Sequence, residues 1–245
     1  MLKSGAESRE MRDSKNLSML RKIDEYNQLI QDHYFYLDSR GNKIHKTSHI
    51  GDGVKIGSNN YIGAFVNIVG ITEIGDDNHF SPFCSIGSEP EHARFFTDKT
   101  IKGVRIGNNN VLREKIIVNS GCYRDTVIGD YVWLMNDSYV AHDCIICDKA
   151  TIAAGVLIGG HCIIGIDANI GMGAMLHQFT VIGSGSMLGM GAVITKTKKI
   201  QPLETYVGNP AKFLKPNSYK VDKLSEAEIL RYSELYLAHL EMNKI

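Results

Sequence analysis

The chain has 245 residues, and its 27 Lys and Arg are balanced by 27 Asp and Glu, so the formal net charge is zero. This balance gives no general argument for binding to nucleic acid or to a membrane surface. No apolar run approaches the roughly 18 residues of a membrane span, and the polar N-terminus lacks the apolar core of a secretory signal. Five cysteines, an odd number placed mostly inside regular repeats, indicate reduced thiols and predict a cytoplasmic protein.

Residues 15–37 predict an amphipathic helix. Apolar side chains recur there at helical spacing, at Leu17, Leu20, Ile23, Tyr26 and Leu29/Ile30. We therefore assign residues 1–43 to an N-terminal helical extension.

A six-residue repeat begins at Ile44 and dominates the next 156 positions, residues 44–199. An aliphatic residue or Phe recurs every six residues, the next residue is usually Gly, and a small or apolar residue follows four positions after the first. This period matches neither a helix nor a simple strand. It indicates short strands separated by regular corners, three to a coil, stacked at about the inter-strand spacing of 4.8 Å. The sequence thus predicts an all-β parallel β-helix, with Gly and Asn at corners that need positive φ.

Counting Thr100 as the start of a hexad gives about eight coils. Their starts are Ile44, Ile62, Phe80, Ile106, Ile128, Ile146, Ile164 and Ile182. Two insertions interrupt them, at residues 92–99 and 124–127. Loops that leave a regular solenoid often carry function, but tolerated surface insertions are an equal alternative.

The last segment, residues 200–245, predicts a turn followed by a helix. The turn spans Tyr206–Lys212, and an apolar stripe over residues 222–243 begins at a capping-box pattern, Ser225 and Glu228. We expect both terminal helices to cap the open ends of the solenoid.

Three histidines recur at intervals close to one coil, His142, His161 and His177. They are expected to share one edge of the prism. Asp143 can fix the tautomer of His142 and stabilise its protonated form, and such a histidine suits removal of a proton from a sugar hydroxyl or ammonium group. A free backbone N–H near Gly160 could stabilise an oxyanion. Together these residues predict acyl transfer without a covalent intermediate, although exposed corner histidines without function remain the alternative.

Metal binding is a rival use of the histidines. Hexapeptide β-helix proteins that hold zinc carry two histidines five residues apart, a spacing that is absent here. Cys144 and Cys147 form one C-x-x-C pair without a second, and their repeat positions favour packing. We therefore predict no metal.

The strings NDSYVAHDC from Asn136 and IGMGAMLHQF from Ile170, within the hexad array of residues 44–199, resemble the UDP-N-acetylglucosamine acyltransferases of lipid A synthesis. The resemblance implies a left-handed β-helix, a homotrimer with active sites between subunits, and acyl-carrier-protein or coenzyme A thioesters as co-substrates, with no permanently bound cofactor. It implies His142 as general base, Asp143 as its partner and Gly160 as the oxyanion glycine. The implied substrate-binding residues are His161, His177, Gln178, Tyr139, Asn136 and Asn209.

Three departures separate the chain from that family. Asn119 begins the string that replaces a His-Arg-Gly phosphate contact, Tyr139 stands in place of a second histidine, and the tail lacks paired arginines. We therefore expect acylation of a UDP- or dTDP-linked amino sugar in surface polysaccharide synthesis. The alternatives are O-acylation of UDP-N-acetylglucosamine in lipid A synthesis and a non-catalytic scaffold or sugar-binding protein.

Overall fold

The computed structural model describes residues 34–92, 102–195 and 199–218, together with Ser225 and Ala227. The chain divides into two compact units, Met1–Tyr36 and Leu37–Ile245. Strand β1 (Phe35–Leu37) occupies the last residues of the helix predicted over 15–37, so that end of the prediction is wrong. The rest of that helix, and nearly all of the helix predicted over 222–243, lie outside the described residues. The division at residues 43 and 199 stays a prediction.

Three sheets form the faces of a parallel β-helix, and consecutive strands visit sheets I, II and III in turn. Sheet I contains β2 (Lys43–His45), β5 (Tyr61–Ile62), β8 (His79–Phe80), β11 (Val111–Leu112), β14 (Trp133–Leu134), β17 (Thr151–Ile152), β20 (Asn169–Ile170), β23 (Met187–Leu188), β26 (Glu204–Val207) and the antiparallel β27 (Lys212–Pro216). Sheet II contains β3 (His49–Ile50), β6 (Asn67–Ile68), β9 (Ser85–Ser88), β12 (Ile117–Asn119), β15 (Tyr139–Val140), β18 (Leu157–Ile158), β21 (Met175–Leu176) and β24 (Val193–Ile194). Sheet III contains β4 (Lys55–Ile56), β7 (Thr72–Ile74), β10 (Val104–Ile106), β13 (Thr126–Ile128), β16 (Ile145–Ile146), β19 (Ile163–Ile164), β22 (Val181–Ile182) and β25 (Lys199–Ile200). Within the described residues, the eight strands of sheets II and III confirm the predicted number of coils. The predicted starts do not share one face, since the first three lie in sheet I and the last five in sheet III.

The repeated aliphatic residue of each hexad points into the prism. Leu134, Val140 and Ile146, one from each sheet, are fully buried in a single continuous core. Small residues at the fifth position, such as Cys144 and Cys162, fill the corners of this core. The hexad pattern therefore predicts the core residue by residue.

Glycine after the aliphatic residue serves close approach rather than positive φ. A Cβ at Gly57 or Gly63 would lie within 3 Å of backbone oxygen on the next coil. Positive φ falls instead on other corner residues, including Asn59, Asp77 and His161. The prediction of Gly and Asn at corners with positive φ is confirmed at Gly155, Gly173 and Asn59, whereas most glycines that follow the aliphatic residue are selected by the stacking distance between coils.

Strand pairing corrects the positions of the insertions. Partner residues are 18 positions apart along most of the solenoid, 32 apart across the first insertion and 22 apart across the second. Ile106 pairs directly with Ile74 and Ile128, so the hexad predicted at Thr100 is wrong. The first insertion lies between Ser88 and Val104 and the second between Asn119 and Thr126. Both leave the corner that leads from sheet II to sheet III, called here the II–III corner.

Candidate active site

The II–III corner carries all three spaced histidines, as their intervals predict. His142, His161 and His177 follow the ends of β15, β18 and β21 by two, three and one residues. His142 and His161 are each only 7% exposed, and their ring centroids are 5.0 Å apart at 89°. His177 is exposed, with Nδ1 3.0 Å from the carbonyl oxygen of Gln178. The two intervals are 19 and 16 residues and not whole coils of 18, so the three histidines take different positions at the corner: the first two rings contact each other and the third is exposed.

The Asp143 carboxylate is fully buried and fixes one side of His142. Its Oδ2 lies 2.6 Å from Nδ1 of His142 and 3.7 Å from Nε2 of His161. Its Oδ1 accepts backbone N–H groups from Cys122, Tyr123 and Arg124 at 2.8–3.0 Å. Successive N–H groups of this kind form a concave anion site. The second insertion therefore forms a cradle of backbone N–H groups around this carboxylate.

The charge of Asp143 is maintained although it is buried. Burial acts to raise the pKa of Asp143, but hydrogen bonds from His142 and from the N–H groups of Arg124 and Tyr123 lower it below its ordinary value of 3.8. A charged carboxylate at Nδ1 keeps the proton of neutral His142 on that nitrogen. Nε2 of His142 is then the nitrogen able to accept a proton.

Gly160 lies directly beside this nitrogen. A Cβ placed on Gly160 would come 2.7 Å from both Cε1 and Nε2 of His142, so only glycine leaves room for the ring. Among the described residues, no hydrogen-bond acceptor is found for the N–H of Gly160. Base and potential oxyanion donor thus sit side by side, on neighbouring coils joined by the bond from His161 N–H to the His142 carbonyl.

Cys122 lies close to the base, in a cluster of side chains that could be considered for metal binding or for nucleophilic attack. One potential ligand atom each of Cys122, His142 and Asp143 lies within 4.8 Å of the others. Burial, followed by the charges of Asp143 and Glu91, raises the pKa of Cys122 to about 12. A nucleophile requires the thiolate. For a metal, the Asp143 oxygens and Nδ1 of His142 are already occupied by hydrogen bonds. The residues of this cluster therefore fit a metal poorly.

Both insertions bring aromatic rings to the same place. His92, in the first insertion, lies with its ring centroid 5.4 Å from that of His142, and Tyr123, in the second, lies 5.6 Å from His161. Phe179, one coil beyond His161, stacks on it at 4.5 Å. The sequence placed an insertion near His92 but singled out neither His92 nor Tyr123. The feature that identifies both residues is that the two insertions leave the same II–III corner. This can be recognised only once the pairing of the strands is known.

Two of the departures from the resembling family meet each other. The Asn119 amide donates to the Tyr139 hydroxyl at 3.4 Å, across the neighbouring strands β12 and β15. Both residues lie on sheet II, immediately before the II–III corner. The sequence alone did not connect this polar pair, which lies on the strand that leads to His142 and on its neighbour.

The remaining predicted residues are spread more widely. Gln178 is exposed at the II–III corner, one coil after Gly160. Asn136 lies at the preceding corner, between sheets I and II, where its amide donates to Asp137. Asn209 is exposed in the turn between β26 and β27, before a cis-proline. The structure thus brings His142, Asp143, Gly160 and His161 together, and does not bring Asn136 or Asn209 into their contacts.

Known proteins share the repeat and the fold of this chain. The family Hexapep, described as bacterial transferase hexapeptide (six repeats), matches residues 125–160. The acyl-[acyl-carrier-protein]--UDP-N-acetylglucosamine O-acyltransferase of Thermodesulfovibrio yellowstonii is 38% identical over 118 residues, covering 44% of this chain and 45% of that protein. The crystal structure of UDP-N-acetylglucosamine O-acyltransferase from Moraxella catarrhalis is 30% identical, covers 81% of this chain and 80% of that chain, and superposes with a TM-score of 0.60. The chain belongs to the hexapeptide-repeat acyltransferases.

The chain has the left-handed parallel β-helix of that superfamily. It spans about half the length of the curated relatives that it matches. All five cysteines lie in the described residues, and none forms a disulfide. The described residues include no helix with the length and apolar character needed to cross a membrane.

Proposed function

We propose that this chain transfers an acyl group from a thioester to a hydroxyl group of a UDP-linked N-acetylglucosamine. The observation that carries the proposal is the His142 ring, held by Asp143 at Nδ1 and placed with Nε2 beside Gly160. The names of the relatives support this acceptor, a UDP-N-acetylglucosamine, and an acyl-carrier-protein donor. They favour O-acylation over the amino-sugar acylation that the sequence departures suggested.

The proposed reaction proceeds by direct attack. The acceptor hydroxyl attacks the thioester carbonyl carbon while Nε2 of His142 takes its proton. The new oxyanion accepts a hydrogen bond from the Gly160 N–H, and Asp143 stabilises the imidazolium. When the C–S bond breaks, the departing thiolate takes the proton from His142, so the enzyme ends the cycle unchanged. The protonated Cys122 thiol supports direct transfer over a covalent acyl-enzyme.

The second candidate is N-acylation of a nucleotide-linked amino sugar. The specific observation in its favour is the Asn119–Tyr139 hydrogen bond, formed by two residues that differ from the resembling family. An uncharged pair there would suit an acceptor bound differently from UDP-N-acetylglucosamine. The same base and oxyanion donor serve either acceptor, since both nitrogen and oxygen nucleophiles must lose a proton.

The assembly and the location follow from the same proposal. We propose a homotrimer with active sites between subunits, acting in the cytoplasm on an acyl-carrier-protein or coenzyme A thioester, without a bound cofactor. Sheet II offers exposed apolar side chains beside the site, Ile117, Leu157 and Met175, as a surface for a neighbouring subunit. Sedimentation or light scattering of the purified chain measures the subunit number directly.

The function is tested by a mass-spectrometric screen. Short and long acyl-carrier-protein and acyl-coenzyme A thioesters are paired with UDP-N-acetylglucosamine and with its 3-amino analogue. Acylated UDP-N-acetylglucosamine supports the main proposal, and product from the analogue alone supports the second candidate. No product from any pair, together with nucleotide-sugar binding by calorimetry, would favour a sugar-binding protein and contradict both.

A further inference from the structure

The two insertions complete a closed cycle of four contacting rings, one of which is the base His142. His142 contacts His161 at 5.0 Å and His92 at 5.4 Å, both edge to face. Tyr123 contacts His92 at 5.8 Å and His161 at 5.6 Å. One insertion supplies His92 and the other supplies Tyr123, so neither insertion closes the cycle alone.

The hydrogen bond that His142 donates to Asp143 still lets the His142 ring tilt, and this cycle of rings removes that freedom. A bond at Nδ1 fixes the tautomer, but the ring can still tilt about that point and carry Nε2 away from Gly160. The rings of His92 and His161 pack against His142 at interplanar angles of 77° and 89°, and both oppose such a tilt. Displacement of a reacting group by about 1 Å can cost on the order of 100-fold in rate.

We infer that His92 is a positioning residue for His142, and that Tyr123 holds His92 in place. This inference rests on the proposed function, in which His142 is the base. A solenoid corner requires no aromatic ring for packing, and Tyr123 keeps 48% of its surface exposed while contacting two of the cycle's rings. The role assigned to His92 is therefore ring packing, which Phe can imitate and Ala cannot.

The test compares His92→Ala with His92→Phe in steady-state kinetics with acyl thioester and UDP-N-acetylglucosamine. We expect His92→Ala to lower kcat on the order of 100-fold, to leave KM for the nucleotide sugar nearly unchanged, and to be largely rescued by His92→Phe. Tyr123→Ala is expected to lower kcat in the same way, and the double variant to lose less than the product of the two single losses. The control is Phe83→Ala, which removes a ring stacked on Phe65 at the corner between sheets I and II and is expected to have no effect.

Two kinetic outcomes overturn the inference. Unchanged kcat in His92→Ala removes any role for the ring. A raised KM for the nucleotide sugar that His92→Phe does not rescue makes His92 an acceptor contact instead. The groups that contact His142 are Asp143, His161, His92 and Cys122. Tyr123 contacts His92 and His161, and the charge of Glu91 acts on Cys122. The pH dependence of kcat is recorded for each variant.

A spectroscopic measurement separates this inference from the proposed function. If the wild-type chain transfers no acyl group, the function fails, but the NMR signals of the His142 ring still report its position. His92→Ala is expected to shift or broaden these signals, and His92→Phe is expected to keep them near their wild-type positions. Unchanged His142 signals in His92→Ala overturn the positioning role whatever the activity.

Discussion

At the scale of single residues, the candidate site is organised by Asp143. The sequence predicts its partnership with His142, because adjacent residues at a corner lie close together whatever the rest of the fold. It does not predict the three N–H groups on Oδ1, which come from residues about one coil away, in an insertion whose register the sequence left open. Local pairs are therefore readable from the sequence, and contacts that depend on register are not.

Replacing Asp143 by Asn tests the carboxylate. The amide keeps the shape, but it removes the charge that stabilises protonated His142 and can offer N–H groups where three donors already point. We expect kcat to fall on the order of 10²–10⁴-fold, measured by initial rates of acyl transfer. Circular dichroism is the control for folding, and a kcat within a few-fold of wild type would show that the His142–Asp143 pair is not the base.

Gly160→Ala tests the room beside the base. The new methyl group would meet Cε1 and Nε2 of His142 at 2.7 Å and must push the ring aside. We expect a loss of kcat on the order of 100-fold with folding retained. Gly155→Asn is the matched control, because a Cβ there meets nothing within 4 Å and Asn tolerates positive φ; equal losses in the two variants would contradict the account.

At the scale of elements, the insertions determine the site more than the regular coils do. The sequence predicts two insertions at about the right places. It also assigns a hexad to Thr100, which is wrong because Ile106 pairs directly with Ile74. Any segment in phase with the six-residue pattern matches it, whereas a strand of the solenoid must also pair with a strand on the next coil. The sharing of the II–III corner by both insertions could be recognised only after this correction.

Gly121→Ala tests the cradle formed by the second insertion. An added Cβ would lie 1.6 Å from the carbonyl oxygen of Arg124, so the turn that presents three N–H groups to Asp143 cannot keep its shape. We expect kcat to fall by roughly as much as in Asp143→Asn. In the double variant the two losses are expected not to multiply, because both remove the same interaction; fully independent losses in a double-mutant cycle would contradict a cradle role.

At the scale of the whole molecule, the hexad array predicts nearly the entire core. Polar ladders inside the corners support the same stack: Asn42, Asn60, Asn78 and Asn110 each accept the N–H of the corresponding residue one coil later. The ladder ends at Val132, which has no side-chain amide. The sequence predicts the turn at Tyr206–Lys212, but it does not predict the antiparallel strand β27 after that turn or the strand at Phe35–Leu37, because both strands lie outside the repeat.

His79 makes the stability of the solenoid depend on pH. Burial, and then the charge of Arg113, lowers the pKa of His79 from 6.5 to about 4 while its ring stacks on Tyr61. The folded state therefore binds this proton less readily than the unfolded state, and stability falls as pH drops from 6.5 to about 4, by about 3 kcal/mol in total. His79→Phe keeps the stack and is expected to flatten this part of the curve in denaturant titrations. A wild-type curve that runs parallel to that of the variant between these pH values would contradict the assignment.

The role of His142 as the base of acyl transfer is tested by initial rates. These are measured for the wild-type chain and for His142→Ala, with one acyl-carrier-protein thioester and UDP-N-acetylglucosamine. We predict thioester-dependent acylation by the wild type and a kcat lower by about 10²–10⁴-fold in the variant, with both proteins equally folded. Equal rates in the two proteins, or no acyl transfer by the wild type, would contradict the account.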